Sequence, residues 1–125
     1  MGTEEPFHSG SLAIEWREVG SGVVVSVGGD IDYDTGPELR EAVGTALGGP
    51  TTLLVIDLTR ITFLGSAGVS ELLFAEGYAR EVGKQLRVVS GRDQRAVRRP
   101  LQVTRVDEML ALFDDLDTAL RAPSC

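Results

Sequence analysis

The sequence predicts one α/β domain, in which a small mixed β-sheet carries helices packed against it in the order β-β-α-β-α-β-α-β-α. Three observations predict this class. The chain has 125 residues, 42% of them hydrophobic and 25% charged, which suits a single ordinary globular domain. Apolar residues alternate with a period of two near the N-terminus. From residue 35 onwards, segments of helical period alternate with short strand-like runs, a pattern typical of α/β domains.

The ends of the chain differ in composition from its middle. Residues 1–10 carry Gly, Pro, Ser and charged residues without periodicity, so we expect a flexible N-terminus there. A single domain is expected over residues 11–121, with a short tail over residues 122–125. Cys125 is the only cysteine, and no charged-then-apolar leader follows Met1, so the expected compartment is a reducing cytoplasm. No apolar run approaches the ~20 residues that a membrane helix needs.

The first two strands are predicted to form a hairpin. Leu12, Ile14 and Trp16 alternate with small or charged residues, which indicates a half-buried strand. Gly20-Ser21-Gly22 supplies a turn. The β-branched run Val23–Val27 that follows favours a more central strand.

The period changes at Thr35, which predicts the first helix. Its apolar residues recur at spacings of three and four and therefore share one face: Leu39, Ala42, Val43, Ala46 and Leu47. Asp34 or Thr35 is expected to cap this helix, and Gly48-Gly49-Pro50 to end it.

A third strand and a loop lead into the second helix. Leu53–Leu58 is apolar apart from Asp57, which predicts a strand covered on both faces. Residues 63–68, Phe-Leu-Gly-Ser-Ala-Gly, are predicted to form a tight loop. An amphipathic helix follows and ends near Gly83.

The last third of the chain is predicted to contain two more strand and helix pairs. Leu86–Val89 is the fourth strand, and a helix starts at Gln94 and runs to about Arg99. Met109–Phe113 is the last strand, and residues 114–121 form the terminal helix. Pro100 is expected to break or kink the third helix, because proline lacks an N–H donor and clashes with the preceding turn.

Charge and missing residue types exclude several functions. Lys and Arg number 12 and Asp and Glu 19, a net charge of −7, which argues against nucleic-acid binding. His8 is the only histidine, so neither a Ser-His-Asp triad nor a histidine metal site is expected. Leu64 stands where a nucleophile elbow requires glycine. We therefore expect no enzyme activity, no metal and no cofactor.

Ser66 stands in a setting that allows regulation. It follows a buried strand and precedes a helix, between Gly65 and the small residues Ala67 and Gly68. The simplest interpretation is an N-cap, which contributes ~1 kcal/mol. However, small neighbours also leave the hydroxyl open to a large partner, and a phosphate there would meet the positive end of the helix dipole. These residues alone leave both interpretations open.

Two motifs give the chain a resemblance to the STAS family, which includes anti-sigma factor antagonists and the cytoplasmic domains of sulphate transporters. Residues 29–35, Gly-Asp-Ile-Asp-Tyr-Asp-Thr, resemble its G-E-L-D-x-x-T signature. Residues 55–69 resemble its V-x-D-L-S-x-V-x-F-x-D-S-[ST/A]-G-L motif. The order of elements is similar from about Leu12 to Leu120. A domain without membrane spans resembles the bacterial antagonist branch.

The resemblance implies a function, partners and a site. In that branch the serine matching Ser66 is phosphorylated by a partner that is both anti-sigma factor and serine kinase. The unphosphorylated form binds this partner and frees the sigma factor, and a serine phosphatase is a further partner. The resemblance also implies a partner-binding face around the serine, formed by Asp30, Asp32, Thr35, Gly65, Ala67, Gly68 and Val69. The free domain is expected to be a monomer.

Some positions leave alternatives open. Gly65 stands where the family motif has aspartate, which motivates a second hypothesis of a scaffold or interaction domain that has lost the switch. Arg105 stands where the family has a helix-ending glycine. Asp30 and Asp32 also suit a merely solvated loop. Phe74 and Tyr78, four residues apart, suit either peripheral core or a partner contact.

Overall fold

A computed structural model describes residues 11–123, and the bounds of its elements confirm the predicted order. The strands are β1 Ala13–Val19, β2 Gly22–Ile31, β3 Leu53–Leu64, β4 Gln85–Val89 and β5 Leu112–Phe113. The helices are α1 Gly36–Gly48, α2 Ser66–Glu81, α3 Arg95–Val103 and α4 Leu116–Arg121, with a 3-10 turn at Val106–Glu108. The expectations for residues 1–10, for His8 and for Cys125 lie outside the described residues.

The five strands form one mixed sheet in the order β1-β2-β3-β4-β5. Strand β1 is antiparallel to β2, as the predicted hairpin requires, and the other neighbours are parallel. Because β2 and β3 run in the same direction, their carboxyl ends meet at one edge, where Ile31 pairs with Leu64. The residues that follow these two strands are therefore brought side by side.

Both faces of the sheet carry helices. On one face, Val25, Ile56 and Val88 pack with residues of α1, α2 and α3 in the main core. On the other face, Val55 and its neighbours pack against Ala119 of α4. The alternation of Val55 and Ile56 between the two cores confirms that β3 is covered on both faces.

Strands β2 and β3 are longer than predicted. They continue to Ile31 and Leu64 through two register irregularities, after Ser26 and after Gly29. Asp30 therefore lies in a strand rather than in a loop, and Phe63 and Leu64 belong to β3 rather than to a tight loop. The sequence obscures this extension because polar residues interrupt the apolar run between the buried residues Ile61 and Leu64.

Of the predicted break or kink at Pro100, the break is wrong, because α3 continues through this residue to Val103. Pro100 lies in the second half of the helix, and its carbonyl accepts bonds from the Thr104 N–H (3.2 Å) and hydroxyl (2.7 Å). Leu101, fully buried, anchors this turn in the core. Arg105 then adopts the left-handed conformation, with φ of 63°, which glycine adopts more easily.

The last strand is shorter than predicted. It comprises only Leu112 and Phe113, because the 3-10 turn at Val106–Glu108 occupies the chain just before Met109. The Met109 N–H donates to the Val106 carbonyl at 2.8 Å and so belongs to that turn.

Candidate functional site

The predicted site lies at the edge where β2 and β3 end. The Gly65 N–H donates to the Ile31 carbonyl at 2.9 Å, which joins the two strand ends. Helices α1 and α2 both begin within a few residues of this bond. Between their starts lies an open depression of about 470 Å³, here called the Ser66 depression, lined by Asp32, Tyr33, Phe63, Gly65, Ser66, Ala67 and Ser70.

Ser66 is the first residue of α2, and its side chain is exposed. Gly65 occupies the N-cap position in an extended conformation and provides no side-chain cap. The carbonyl of Gly65 accepts bonds from the N–H groups of Gly68 (2.9 Å) and Val69 (3.1 Å). Within residues 11–123, no hydrogen bond holds the Ser66 hydroxyl. The serine therefore does not act as the cap of α2.

The start of α1 is held by a network around Thr35. The Thr35 hydroxyl donates to the Asp30 carbonyl at 2.7 Å and accepts from the Asp32 N–H at 2.9 Å. Oδ1 of Asp32 in turn accepts from the N–H groups of Asp34 (2.9 Å) and Thr35 (3.0 Å). Thr35 is the N-cap residue, but its side chain makes no capping bond to the helix. The prediction that Asp34 or Thr35 caps α1 is therefore confirmed for the position of Thr35 but not for a side-chain bond, because this hydroxyl closes the preceding turn instead.

These bonds fix the charge of Asp32. The Thr35 N–H, aided by the Thr35 hydroxyl and the Asp34 N–H, lowers the pKa of the Asp32 carboxyl, although desolvation opposes the shift. Asp32 is therefore ionised at neutral pH. One negative charge is held in place in the lining of the Ser66 depression.

The structure brings only part of the predicted site to the surface. Asp32, Gly65 and Ala67 line the depression together with Ser66. Asp30 is exposed nearby on β2, where its Oδ1 accepts from the Thr62 hydroxyl at 2.6 Å.

Thr35, Gly68 and Val69, which the resemblance assigned to the binding face, are buried. They do not line the Ser66 depression. At Gly68 an added Cβ would lie 2.5 Å from Leu64 Cδ1 and 2.7 Å from Ile31 Cγ2. The missing side chain is what allows α2 to begin directly against the strand ends.

Two exposed aromatic residues belong to the site and were missed. Tyr33 is 85% exposed, and Phe63 is half exposed. The exposure of Phe63 could have been predicted from the alternation of side chains along a strand. Leu64 is buried, so its neighbour Phe63 projects to the opposite face. Tyr33 carries no such signal, because it lies in an irregular turn.

Gly65 and the ring of Phe63 occupy neighbouring space. A Cβ at position 65 would lie 3.0 Å from Phe63 Cε2 and 3.4 Å from Cζ. The aspartate of the family motif therefore fits only if this ring moves. The motif contains both this phenylalanine and the aspartate, so a carboxylate at position 65 requires only a small shift of the half-exposed ring.

Phe74 and Tyr78 on α2, which suited either peripheral core or a partner contact, differ in burial. Tyr78 packs against the main core. Phe74 is more exposed, with its ring stacked on Tyr78 at 6.0 Å between centroids and the Arg40 guanidinium 4.2 Å from the Phe74 centroid. Tyr78 is thus peripheral core, whereas Phe74 presents apolar surface.

Within the described part of the chain, no group of three or more His, Cys, Asp or Glu side chains is placed to hold a metal ion. No helix between residues 11 and 123 is both long and apolar enough to cross a membrane.

Comparison with known proteins gives consistent results. Residues 14–113 match the family described as "Mlab, STAS domain". The chain is 34% identical over 97 residues to the anti-sigma-F factor antagonist RsfB of Mycobacterium tuberculosis, covering 78% of this chain and 77% of RsfB. An anti-sigma factor antagonist from Mycobacterium paratuberculosis has a similar crystal structure, with a TM-score of 0.79 and 33% identity over 87% of this chain and 91% of that one. The anti-sigma factor antagonist SpoIIAA in its unphosphorylated form shares the fold, with a TM-score of 0.69 and 20% identity over 84% of this chain and 90% of that one.

Proposed function

The chain belongs to the STAS domain family, and we propose that it is an anti-sigma factor antagonist that phosphorylation of Ser66 switches off. Its partner is an anti-sigma factor with serine kinase activity, which the unphosphorylated chain binds so that the sigma factor is released. The relatives named antagonists support the first part of this proposal. The observation that carries the second part is the exposed Ser66 hydroxyl, beside Asp32 in one depression.

The surroundings of Ser66 suit a phosphoryl acceptor. A kinase must bring the γ-phosphate of its nucleotide into line with the attacking hydroxyl oxygen. Gly65 and Ala67 flank this oxygen without bulk, and no hydrogen bond within residues 11–123 has to break before it attacks. The chain acts as substrate in this step, and the kinase supplies the nucleotide and its metal ion.

The position of Ser66 also explains how a phosphate would change binding without unfolding the chain. Phosphorylation adds a charge of about −1.5 to −2, which is favourable at the first residue of a helix because of the helix dipole. The same charge would stand in the same depression as the Asp32 carboxylate. A partner surface that complements the Asp32 carboxylate alone would bind less tightly once the phosphate adds a second negative charge.

The proposal includes the setting in which the switch works. A chain that acts on sigma factor control works in the bacterial cytoplasm. A serine phosphatase would restore the binding form by removing the phosphate. We also propose that the free chain is a monomer, because its net charge of −7 opposes self-association.

Intact mass spectrometry tests the switch. The chain is incubated with ATP and each anti-sigma factor kinase of its own organism, purified one at a time. Wild type is expected to gain one phosphate, and Ser66→Ala none. Ser70→Ala is the matched control, since Ser70 lines the same depression one turn further along α2. It should gain one phosphate as wild type does. A phosphate on Ser66→Ala would remove Ser66 from the switch.

A second candidate function is favoured by Gly65, namely an interaction domain that keeps the binding face without the switch. It predicts that wild type binds an anti-sigma factor equally well with ADP or ATP and gains no phosphate. The variant Gly65→Asp restores the carboxylate of the family motif and keeps Phe63, which that motif also contains. Phosphate on this variant but not on wild type would establish the second candidate.

A further inference from the structure

A second depressed surface lies between the edge strand β1 and helix α1. Two open depressions, of about 400 and 260 Å³, meet at Trp16 and Thr45. The larger one includes the β1–β2 turn and Pro50, ahead of the start of β3. It therefore lies toward the end of the parallel strands opposite to Ser66. We call the two depressions together the β1/α1 groove.

The floor of the groove is apolar because the sheet extends beyond the helix that covers it. Ile14 and Trp16 pair with Val27 and Val25, which are buried in the main core. Residues paired directly across two strands project to the same face, so Ile14 and Trp16 lie on the face of the sheet that α1 covers. Ile14 packs against that core, but Trp16 remains 48% exposed.

The rim of the groove carries one sign of charge. Its charged lining residues are Glu18, Glu38 and Glu41, and no Lys or Arg lines either depression. Oε1 of Glu38 is engaged at 2.8 Å by the Leu12 N–H. Glu18 and Glu41 are exposed on the two sides of the groove, one on β1 and one on α1.

We propose that the β1/α1 groove binds a basic amphipathic helix of a partner protein. Its apolar stripe would cover Trp16 and Ile14, and its Lys or Arg residues would meet Glu18 and Glu41. An amphipathic helix laid in an apolar groove is a recurring mode of recognition, and here it would extend the layer that α1 begins. This binding is separate from the chemistry of Ser66.

Charge argues against the other occupants. A second copy of this chain carries a net charge of −7 and would bring repulsion to an acidic rim. Residues 1–10 contain Glu4 and Glu5 and no Lys or Arg, so they do not complement the rim either. A basic partner segment is the occupant that matches both the apolar floor and the carboxylates.

The test uses Trp16, the only tryptophan in the chain, as a fluorescent reporter within the groove. The probe is a synthetic Leu/Lys peptide of helical period, about four turns long, and a Leu/Glu peptide of the same pattern is its control. The full chain should show a saturable blue shift of Trp16 emission with the Leu/Lys peptide alone. Absence of a shift, or an equal shift with the Leu/Glu peptide, would overturn the proposal.

Paired variants separate groove binding from general attraction to an acidic protein. Glu18→Gln/Glu41→Gln should lower the affinity for the Leu/Lys peptide roughly tenfold, because two ion pairs are lost. The control Glu81→Gln/Asp93→Asn removes the same charge from exposed sites elsewhere and should leave affinity unchanged. Equal losses in the two variants would contradict the proposal.

The other occupants would give their own results, each of which overturns the proposal. A red shift of Trp16 emission on deleting residues 1–10 would identify the chain's own N-terminus as the occupant. A blue shift that grows with protein concentration, without peptide, would identify a second copy.

Discussion

Helices α1 and α2 begin side by side at the same edge of the sheet, yet the hydroxyl groups at their starts are held in different ways. Thr35 is 1% exposed and its hydroxyl bonds two backbone groups of the preceding turn. Ser66 is exposed, and within residues 11–123 nothing bonds its hydroxyl. The first hydroxyl therefore belongs to the fold, whereas the second is available to a partner. Substitutions at the two starts should therefore separate into effects on stability and effects on binding.

The largest expected effect is a loss of stability at the buried base of α2. In Gly68→Ala the new Cβ must displace Leu64 and Ile31, both buried, which should lower the free energy of unfolding by roughly 1–3 kcal/mol. Gly77→Ala is the control on the same helix, because a Cβ there meets nothing within 4 Å. It should raise stability by up to about 1 kcal/mol. Urea denaturation measures both, and a Gly68→Ala variant as stable as wild type would contradict the close approach of α2 to the strands.

The next effect compares the two hydroxyls directly. Thr35→Val keeps the shape of the side chain but leaves the Asp30 carbonyl and the Asp32 N–H without their partner, which should lower the free energy of unfolding by about 1–3 kcal/mol. Ser66→Ala should change it by less than about 0.5 kcal/mol, as for most surface substitutions. Equal losses in the two variants, measured by urea denaturation, would show that Ser66 also serves the fold.

A smaller effect concerns pH. The pKa of Asp32 is lowered in the folded chain by the Thr35 N–H, so its contribution to stability is fully present above the unfolded pKa of about 3.9 and is lost as pH falls through the lowered value. Asp32→Asn removes this titration while its amide oxygen can still accept the same bonds. Its stability should therefore fall less than that of wild type between neutral pH and pH values below about 4. An equal fall of the melting temperature with pH in the two proteins would contradict the assignment of this loss to Asp32.

The pH comparison requires one further control. The Thr118 N–H likewise lowers the pKa of Asp115 at the start of α4, so this carboxyl contributes with the same sign. Asp115→Asn should also flatten the acid limb of the stability curve, but without any change in partner binding, because α4 packs on the other face of the sheet.

Asp32 tests whether one residue contributes both to folding and to partner binding. We predict that Asp32→Ala weakens partner binding more than folding, although the bonds to Asp34 and Thr35 give it a share in the turn. Asp32→Asn keeps the acceptor and removes the charge, so it should lose affinity by several-fold with little change in melting temperature. Affinity and melting temperature measured on one preparation decide this, and an unchanged affinity would make Asp32 purely structural.

Hydrophobic period accounts for what could be predicted of the fold. The stripe of α1 from Leu39 to Leu47 is buried as its spacing requires, and the order of elements follows from such runs. The ends of β2 and β3 could not be predicted, because pairing continues there through register shifts and polar residues. The break expected at Pro100 is absent for a related reason. The burial of Leu101 in the core outweighs the tendency of proline to end a helix.

The site was predicted in outline only. The motifs identified Asp32, Gly65 and Ser66, which the structure brings into one depression. They did not distinguish exposed residues from Thr35 and Val69, which are buried beneath it, because a motif records position and not accessibility. Which motif residues are buried and which are exposed depends on two strand ends that lie side by side although they are more than thirty residues apart in sequence. The sequence alone does not show this adjacency.

A titration of the proposed anti-sigma factor kinase, in the presence of ADP, with wild type, Ser66→Ala and Ser66→Glu measures how the charge at residue 66 affects binding. Ser66→Ala should bind like wild type. Ser66→Glu should melt at the same temperature as wild type, since a negative charge suits the first residue of α2, but should bind about tenfold or more weakly because it adds charge beside Asp32. A Ser66→Glu variant that folds normally and binds as tightly as wild type would contradict the claim that the charge at Ser66 controls the partner.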